Sequence, residues 1–136
     1  MKVLMIYCKT FGYNPTVKTL EMANENEVSG SYENVQTAFI QVEAEDVERE
    51  AQVSKKLLKN LKWVCGKNNT KKVILHSFAH LSESKADPEF TKRIFDSVQQ
   101  RLEKVDYEVN QTPFGYFLDL QVDAPGFSLA RVFKSF

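Results

Sequence analysis

Both histidines of the chain fall within Val73-Ile74-Leu75-His76-Ser77-Phe78-Ala79-His80-Leu81, where a short apolar run gives way abruptly to polar and small residues. Imidazole is the side chain best suited to hold or move a proton near neutral pH, and it also ligates metals. A β-branched start followed by Leu75 predicts a buried strand, which places both rings at the strand's C-terminal end. Open α/β sheets gather their ligands at that end. His80 therefore has two readings: a ring packed at a strand end with one nitrogen bonded to backbone, or a group that touches a substrate.

Other chemistries are weaker on spacing. Zinc could be held by His76 and His80 with Cys8, Cys65 or Glu83, but a His-x-x-x-His pair aligns two rings only on a helix, and Ser77-Phe78 read as a strand end. Ser77, Ser82, Cys8 and Cys65 are possible nucleophiles, yet none has the glycine-flanked elbow or the base and orienting acid that activation needs. The five glycines are isolated, so no phosphate-cradling loop exists. Lys55, Lys56, Lys59 and Lys62 could meet a phosphate backbone, or simply solvate one face of a helix. Phe114, Tyr116 and Phe117, after Pro113, could stack a base or close the edge of a core.

The elements that position these groups follow from patterning. Lys2 to Cys8 reads as an opening strand, Lys9 to Pro15 as a turn marked by Gly12, Asn14 and Pro15, and Glu21 to Tyr32 as a surface loop. Val35 to Glu43 is a second strand. Asp46 fits the N-cap of an amphipathic helix from Val47 to about Cys65, with Val53, Leu57, Leu61 and Val64 on one face and Gly66 as its stop. After the strand Lys72–Ser77, Asp87-Pro88 opens a second helix to Lys104, striped by Phe90, Ile94, Val98 and Leu102. Tyr107 to Asn110, Phe117 to Asp123 and Phe127 to Phe136, the last with Leu129 and Val132 inward, complete the strands. The prediction is a single α/β domain, residues 1–136, with a β-sheet covered by two amphipathic helices.

Composition bounds the function further. Eighteen basic and eighteen acidic residues cancel, so no global field attracts a polyanion and any nucleic-acid contact must be local. No apolar run approaches bilayer length, and Met1-Lys2-Val3 leads straight into a strand, so a cytoplasmic protein with two free thiols is expected.

Two segments taken together carry a resemblance. Ser77-Phe78-Ala79-His80-Leu81-Ser82, followed across a helix by Thr112-Pro113-Phe114-Gly115-Tyr116-Phe117, resembles the paired signature of the archaeal threonyl-tRNA synthetase N-terminal editing domain. Lys2-Val3-Leu4-Met5-Ile6 and Ala38-Phe39-Ile40-Gln41-Val42-Glu43 match that family in the same order. The resemblance implies a fold like that of the D-aminoacyl-tRNA deacylases, a homodimer, and an aminoacyl-tRNA deacylase that removes serine from threonine tRNA. It implies no cofactor and no metal. The partners implied are the 3′ end of an aminoacylated tRNA and a threonyl-tRNA synthetase, of which the chain is a part or an associate. Matching positions for substrate binding are Val42, Phe78, Ala79, Gly115, Tyr116, Phe117 and Leu118, with His80 as the functional side chain.

The chain departs from the family at two of its site positions. Leu118 stands where the pattern has a lysine, and Arg131 stands where it has a glutamate. One cation is lost and one acid becomes a base. The expectation is that Arg131, or Lys134 on the same strand, turns its cation into the vacated space; the rival expectation is a weakened relative that binds the tRNA end or only supports its synthetase.

Overall fold

A computed structural model describes residues 1–136. The element order is β1 (Lys2–Lys18), β2 (Gly30–Gln41), α1 (Glu50–Lys67), β3 (Lys72–Ser77), α2 (Pro88–Glu103), β4 (Glu108–Gln111), β5 (Tyr116–Asp123) and β6 (Arg131–Ser135). Short 3₁₀ turns at Ala44–Arg49 and Ser128–Ala130 precede α1 and β6. The sheet runs β4-β3-β2-β1-β5, with β6 also paired to β1. No helix is long and apolar enough to cross a membrane.

β1 is one strand of 17 residues, where the sequence predicts a strand and then a turn from Lys9 to Pro15. Pairing on both edges overrides the local turn signals. Along one edge β1 meets β2 from Lys2 to Tyr13; along the other it meets β6 over Lys2–Ile6 and β5 over Thr10–Lys18. A register shift between Pro15 and Val17 accommodates the proline, which cannot donate to a regular ladder. The predicted surface loop is correspondingly shorter, because Gly30 to Tyr32 already belong to β2.

β2, β3 and β4 are parallel neighbours joined through α1 and α2. Crossovers of this kind share one hand, so both helices cover the same face of the sheet. There Val3, Met5, Ala38, Ile40, Val42, Val73 and Leu75 pack against Leu57, Leu61 and Val64 of α1 and Phe90, Ile94, Val98 and Leu102 of α2. A smaller cluster, Cys8, Phe11, Val35, Phe39 and Ile74, lies apart from it, with Leu4, Ile6, Phe78 and Leu120 against it.

The helix ends show where local rules hold. Asp87 accepts the Phe90 amide at 2.8 Å and Pro88 opens α2, as predicted. Asp46 is instead drawn into the interior: fully buried, it accepts the Glu43 amide, the Met1 amino group and Arg49, so α1 begins at Glu50. Gly66 lies within α1, and Asn69, in the left-handed conformation at φ 54°, follows the helix end.

Candidate active site

The cleft lies at the C-terminal ends of β2 and β3, beside the first turn of α2, and encloses about 480 Å³. Its floor is Ile40, Gln41, Val42, His76 and Ser77. The turn Phe78-Ala79-His80 forms one wall and Thr112 to Leu118 the other, with Thr19 and Leu20 behind. Parallel strand ends expose backbone groups beyond the last ladder bond, which is why such a site forms there.

The first wall is stitched down residue by residue. The Phe78 amide donates to the Ile40 carbonyl at 3.0 Å and the Ala86 amide to Val42 at 2.9 Å. Between them Gln41, only 3% exposed, makes four hydrogen bonds. Its Oε1 accepts the Leu81 and Ser82 amides at 2.7 Å each, and its Nε2 donates to the Ser82 and Ser84 carbonyls at 2.8 and 2.9 Å. Ser82 Oγ adds a bond to Glu43 at 2.7 Å. The Ala79 and His80 amides donate to no group of the protein.

The second wall hangs on Thr112 and Gly115. The Thr112 amide donates to the Leu75 carbonyl at 3.1 Å, and its hydroxyl lies 2.9 Å from His76 Nδ1. Gly115 has φ +81°, and its carbonyl accepts both the amide and the hydroxyl of Thr19. Tyr116 completes the join by donating its hydroxyl to the Asn24 carbonyl.

All but one of the residues expected at the site meet here. Val42, Phe78, Ala79, His80, Gly115, Tyr116, Phe117 and Leu118 line the cleft. Arg131 does not: paired with Ile6 on β6, it donates to the Pro125 carbonyl, and Lys134 lies over the Trp63 ring at 5.5 Å. Neither cation is placed to fill the space beside Leu118. The cleft's one lysine or arginine is Lys85, on the first wall. Sequence reasoning gave no site role to Lys85, Thr112 or Gln41, although Thr112 and Gln41 lie inside the segments that carry the family resemblance.

The two histidines have different surroundings. His80 is exposed, its ring 4.9 Å from that of Phe78. His76 is buried, edge-on to Phe39 at 4.7 Å, and burial lowers its pKa to about 4, so the ring is neutral near pH 7. No three His, Cys, Asp or Glu side chains are placed to hold a metal. The cysteines are separated into the two apolar clusters, and burial raises both thiols, Cys65 to about 12, which suppresses the nucleophilic thiolate.

Residues 1–136 match the family model described as the archaea-specific editing domain of threonyl-tRNA synthetase. The chain belongs to this family. Relatives of this editing domain include the threonine–tRNA ligases of Staphylothermus marinus, 31% identical over 99% of the chain, and Thermococcus sibiricus, 28% identical over 99%. The domain spans 22% of the length of each. Among solved structures, one titled c-Myc DNA Unwinding Element Binding Protein aligns with a TM-score of 0.72 at 10% identity, covering 99% of this chain and 98% of that one. At that identity the likeness speaks to fold alone. The fold is the single α/β domain, its sheet covered by two helices, that the sequence led us to expect.

The editing domain should lose stability on acidification in two stages. Burial alone would raise the Glu43 carboxyl, but hydrogen bonds from the Met1 amino group, Ser82 and Lys2 outweigh it and bring it down to about 2. For His76 the unfolded chain binds the extra proton between pH 6.5 and about 4, so its contribution is full above that window and is lost as pH falls through it. Glu43 acts the same way between pH 4.5 and about 2. Urea titrations should show the first loss, on the order of 3 kcal/mol, flattened in His76→Gln. An unchanged slope in that variant would refute the assignment.

Proposed function

We propose that this domain hydrolyses the ester of seryl-tRNA mischarged onto threonine tRNA, with the terminal aminoacyl-adenosine in the cleft. The observation that carries this reading is the meeting of Phe78-Ala79-His80 with Gly115-Tyr116-Phe117 across one cavity of about 480 Å³, a size suited to a small-molecule group. Water attacks the ester carbonyl carbon, the bond to the ribose oxygen breaks, and that oxygen leaves with a proton. Negative charge develops on the carbonyl oxygen, and the unpaired amides of Ala79 and His80 are donors of the kind that stabilise it. The terminal ribose 2′-OH assists the water, as the family resemblance implies, and His80 positions the substrate.

Serine is the smaller amino acid, so walls that leave no room for threonine's methyl act as the finer sieve. The domain works as part of, or beside, a threonyl-tRNA synthetase, and as a homodimer. The exposed Phe127, Val122 and Phe133 around β5 and β6 support self-association.

Lys85 supplies the cation that Leu118 withholds. Lys85→Met should lower kcat/KM for seryl-tRNA by about a hundredfold or more, the scale of losing one donor to the developing oxyanion. Full activity in that variant, with loss in Arg131→Ala, would return the role to Arg131. Leu118 in the cleft favours a second reading, a weakened domain that binds the tRNA end with little hydrolysis. Release of the esterified amino acid from seryl-, threonyl- and D-aminoacyl-tRNAs by the purified domain separates the two: turnover confined to the seryl ester supports editing, and none at all supports the weakened binder.

A further inference from the structure

The outward face of α1 is basic in a molecule whose total charge is zero. Lys55, Lys56, Lys59, Lys62 and Lys67 all project from it to solvent, so one helix holds five of the chain's eighteen basic residues. Its only acid is Glu50, which is engaged by Arg93 of α2 at 2.9 Å. None of the five lysines takes part in an ion pair. A solvated face usually interleaves both signs, and this one does not.

The position of the face matters as much as its sign. α1 connects the end of β2 to the start of the parallel β3, so it begins beside the cleft and runs back along the sheet for ~27 Å. Lys55, Lys59 and Lys67 share one row at intervals of four residues, ~6 Å of helix per step. The row's remaining member is Trp63, 41% exposed, with Lys134 of β6 over its ring.

We infer that the lysine face of α1 is a track for the phosphate backbone of the tRNA whose 3′ end enters the cleft. The inference rests on the proposed reaction for its choice of polyanion. A ligand seated by its terminal nucleotide necessarily presents a string of phosphates beside the site, and α1 leads away from it. Lysines neutralise phosphates without reading sequence, so the track serves affinity and orientation, and the discrimination between amino acids stays in the cleft.

The test is a salt titration of tRNA binding by fluorescence anisotropy, using uncharged threonine tRNA and the whole chain. Each phosphate contact contributes about 0.9 to the slope of log K against log salt for a duplex. The triple variant Lys55→Gln, Lys59→Gln, Lys62→Gln should flatten that slope by about 2 to 3 and weaken binding at least tenfold at low salt. Lys9→Gln with Lys104→Gln, which are exposed but off α1, should leave the slope in place. An unchanged slope in the triple variant, or an equal loss in the control, overturns the track; binding of an acidic protein surface by the face, with tRNA affinity intact, overturns it equally. Serine release is read separately. A steep, lysine-dependent slope without hydrolysis removes the reaction and keeps the track, and hydrolysis with a lysine-independent slope does the reverse.

Discussion

Gln41→Leu is expected to lower stability by about 3 kcal/mol, or roughly 10 °C in Tm for a chain of this size, and to cost at least tenfold in kcat/KM. Leucine conserves the volume and the burial, so neither a cavity nor strain is introduced. What disappears is a fourfold clamp: two amides, of Leu81 and Ser82, and two carbonyls, of Ser82 and Ser84, lose the partner that fixed them. Each net hydrogen bond is worth about 1 kcal/mol, and the groups are only partly exposed, so water replaces the partner incompletely. The clamped segment is the continuation of the Phe78-Ala79-His80 wall and carries Lys85, which explains why activity should fall with stability. Gln41→Glu supplies the control, since it retains the acceptor for two amides and loses both donors. A Gln41→Leu protein within 0.5 kcal/mol of wild type by urea unfolding would show that the loop holds its shape without the clamp.

Gly115→Ala should damage the opposite wall by about 2 to 3 kcal/mol, through two separable causes. Alanine at φ +81° is strained wherever it sits, at a cost of about 1 kcal/mol or more. Its Cβ would also lie 2.8 Å from the Ala23 Cβ, closer than such atoms approach, and 3.1 Å from the Leu20 Cβ, a tight contact. The segment 19–24 must then move away, and with it go the Thr19 bonds to the Gly115 carbonyl and the Tyr116 hydroxyl's bond to Asn24. Ala23→Gly in the same chain removes the nearer contact and leaves the backbone cost. Partial recovery of stability and of seryl-ester turnover in the double variant is the expected result. A Gly115→Ala protein as stable as wild type would mean that this wall is not built on close approach.

These two residues mark the boundary of what could be read without coordinates. Gly115 belongs to a short linear motif, and its place beside Tyr116 and Phe117 was legible. That Ala23 and Leu20 lie against it was not, because Ala23 comes from the polar stretch that carries no periodic pattern and Leu20 from the residue just before it. Gln41 sat in a recognised strand, but nothing local says that a strand-end amide will turn to bind a loop forty residues on.

By itself the sequence determined the number and kind of helices, the strand that bears His76 and leads into His80, the Asp87-Pro88 start of α2, and the family. Each is written in local periodicity, in a cap within four residues, or in a contiguous motif. Only the tertiary structure decided that β1 runs unbroken through Gly12, Asn14 and Pro15, that Asp46 turns inward to the Met1 amino group, that Arg131 is held at Pro125 away from the cleft, and that Lys85 stands in it. Those outcomes depend on which edges of β1 are paired and which charges are buried together. Pairing partners and burial are properties of the assembled sheet, set by residues tens to more than a hundred positions apart, and no window along the chain contains them.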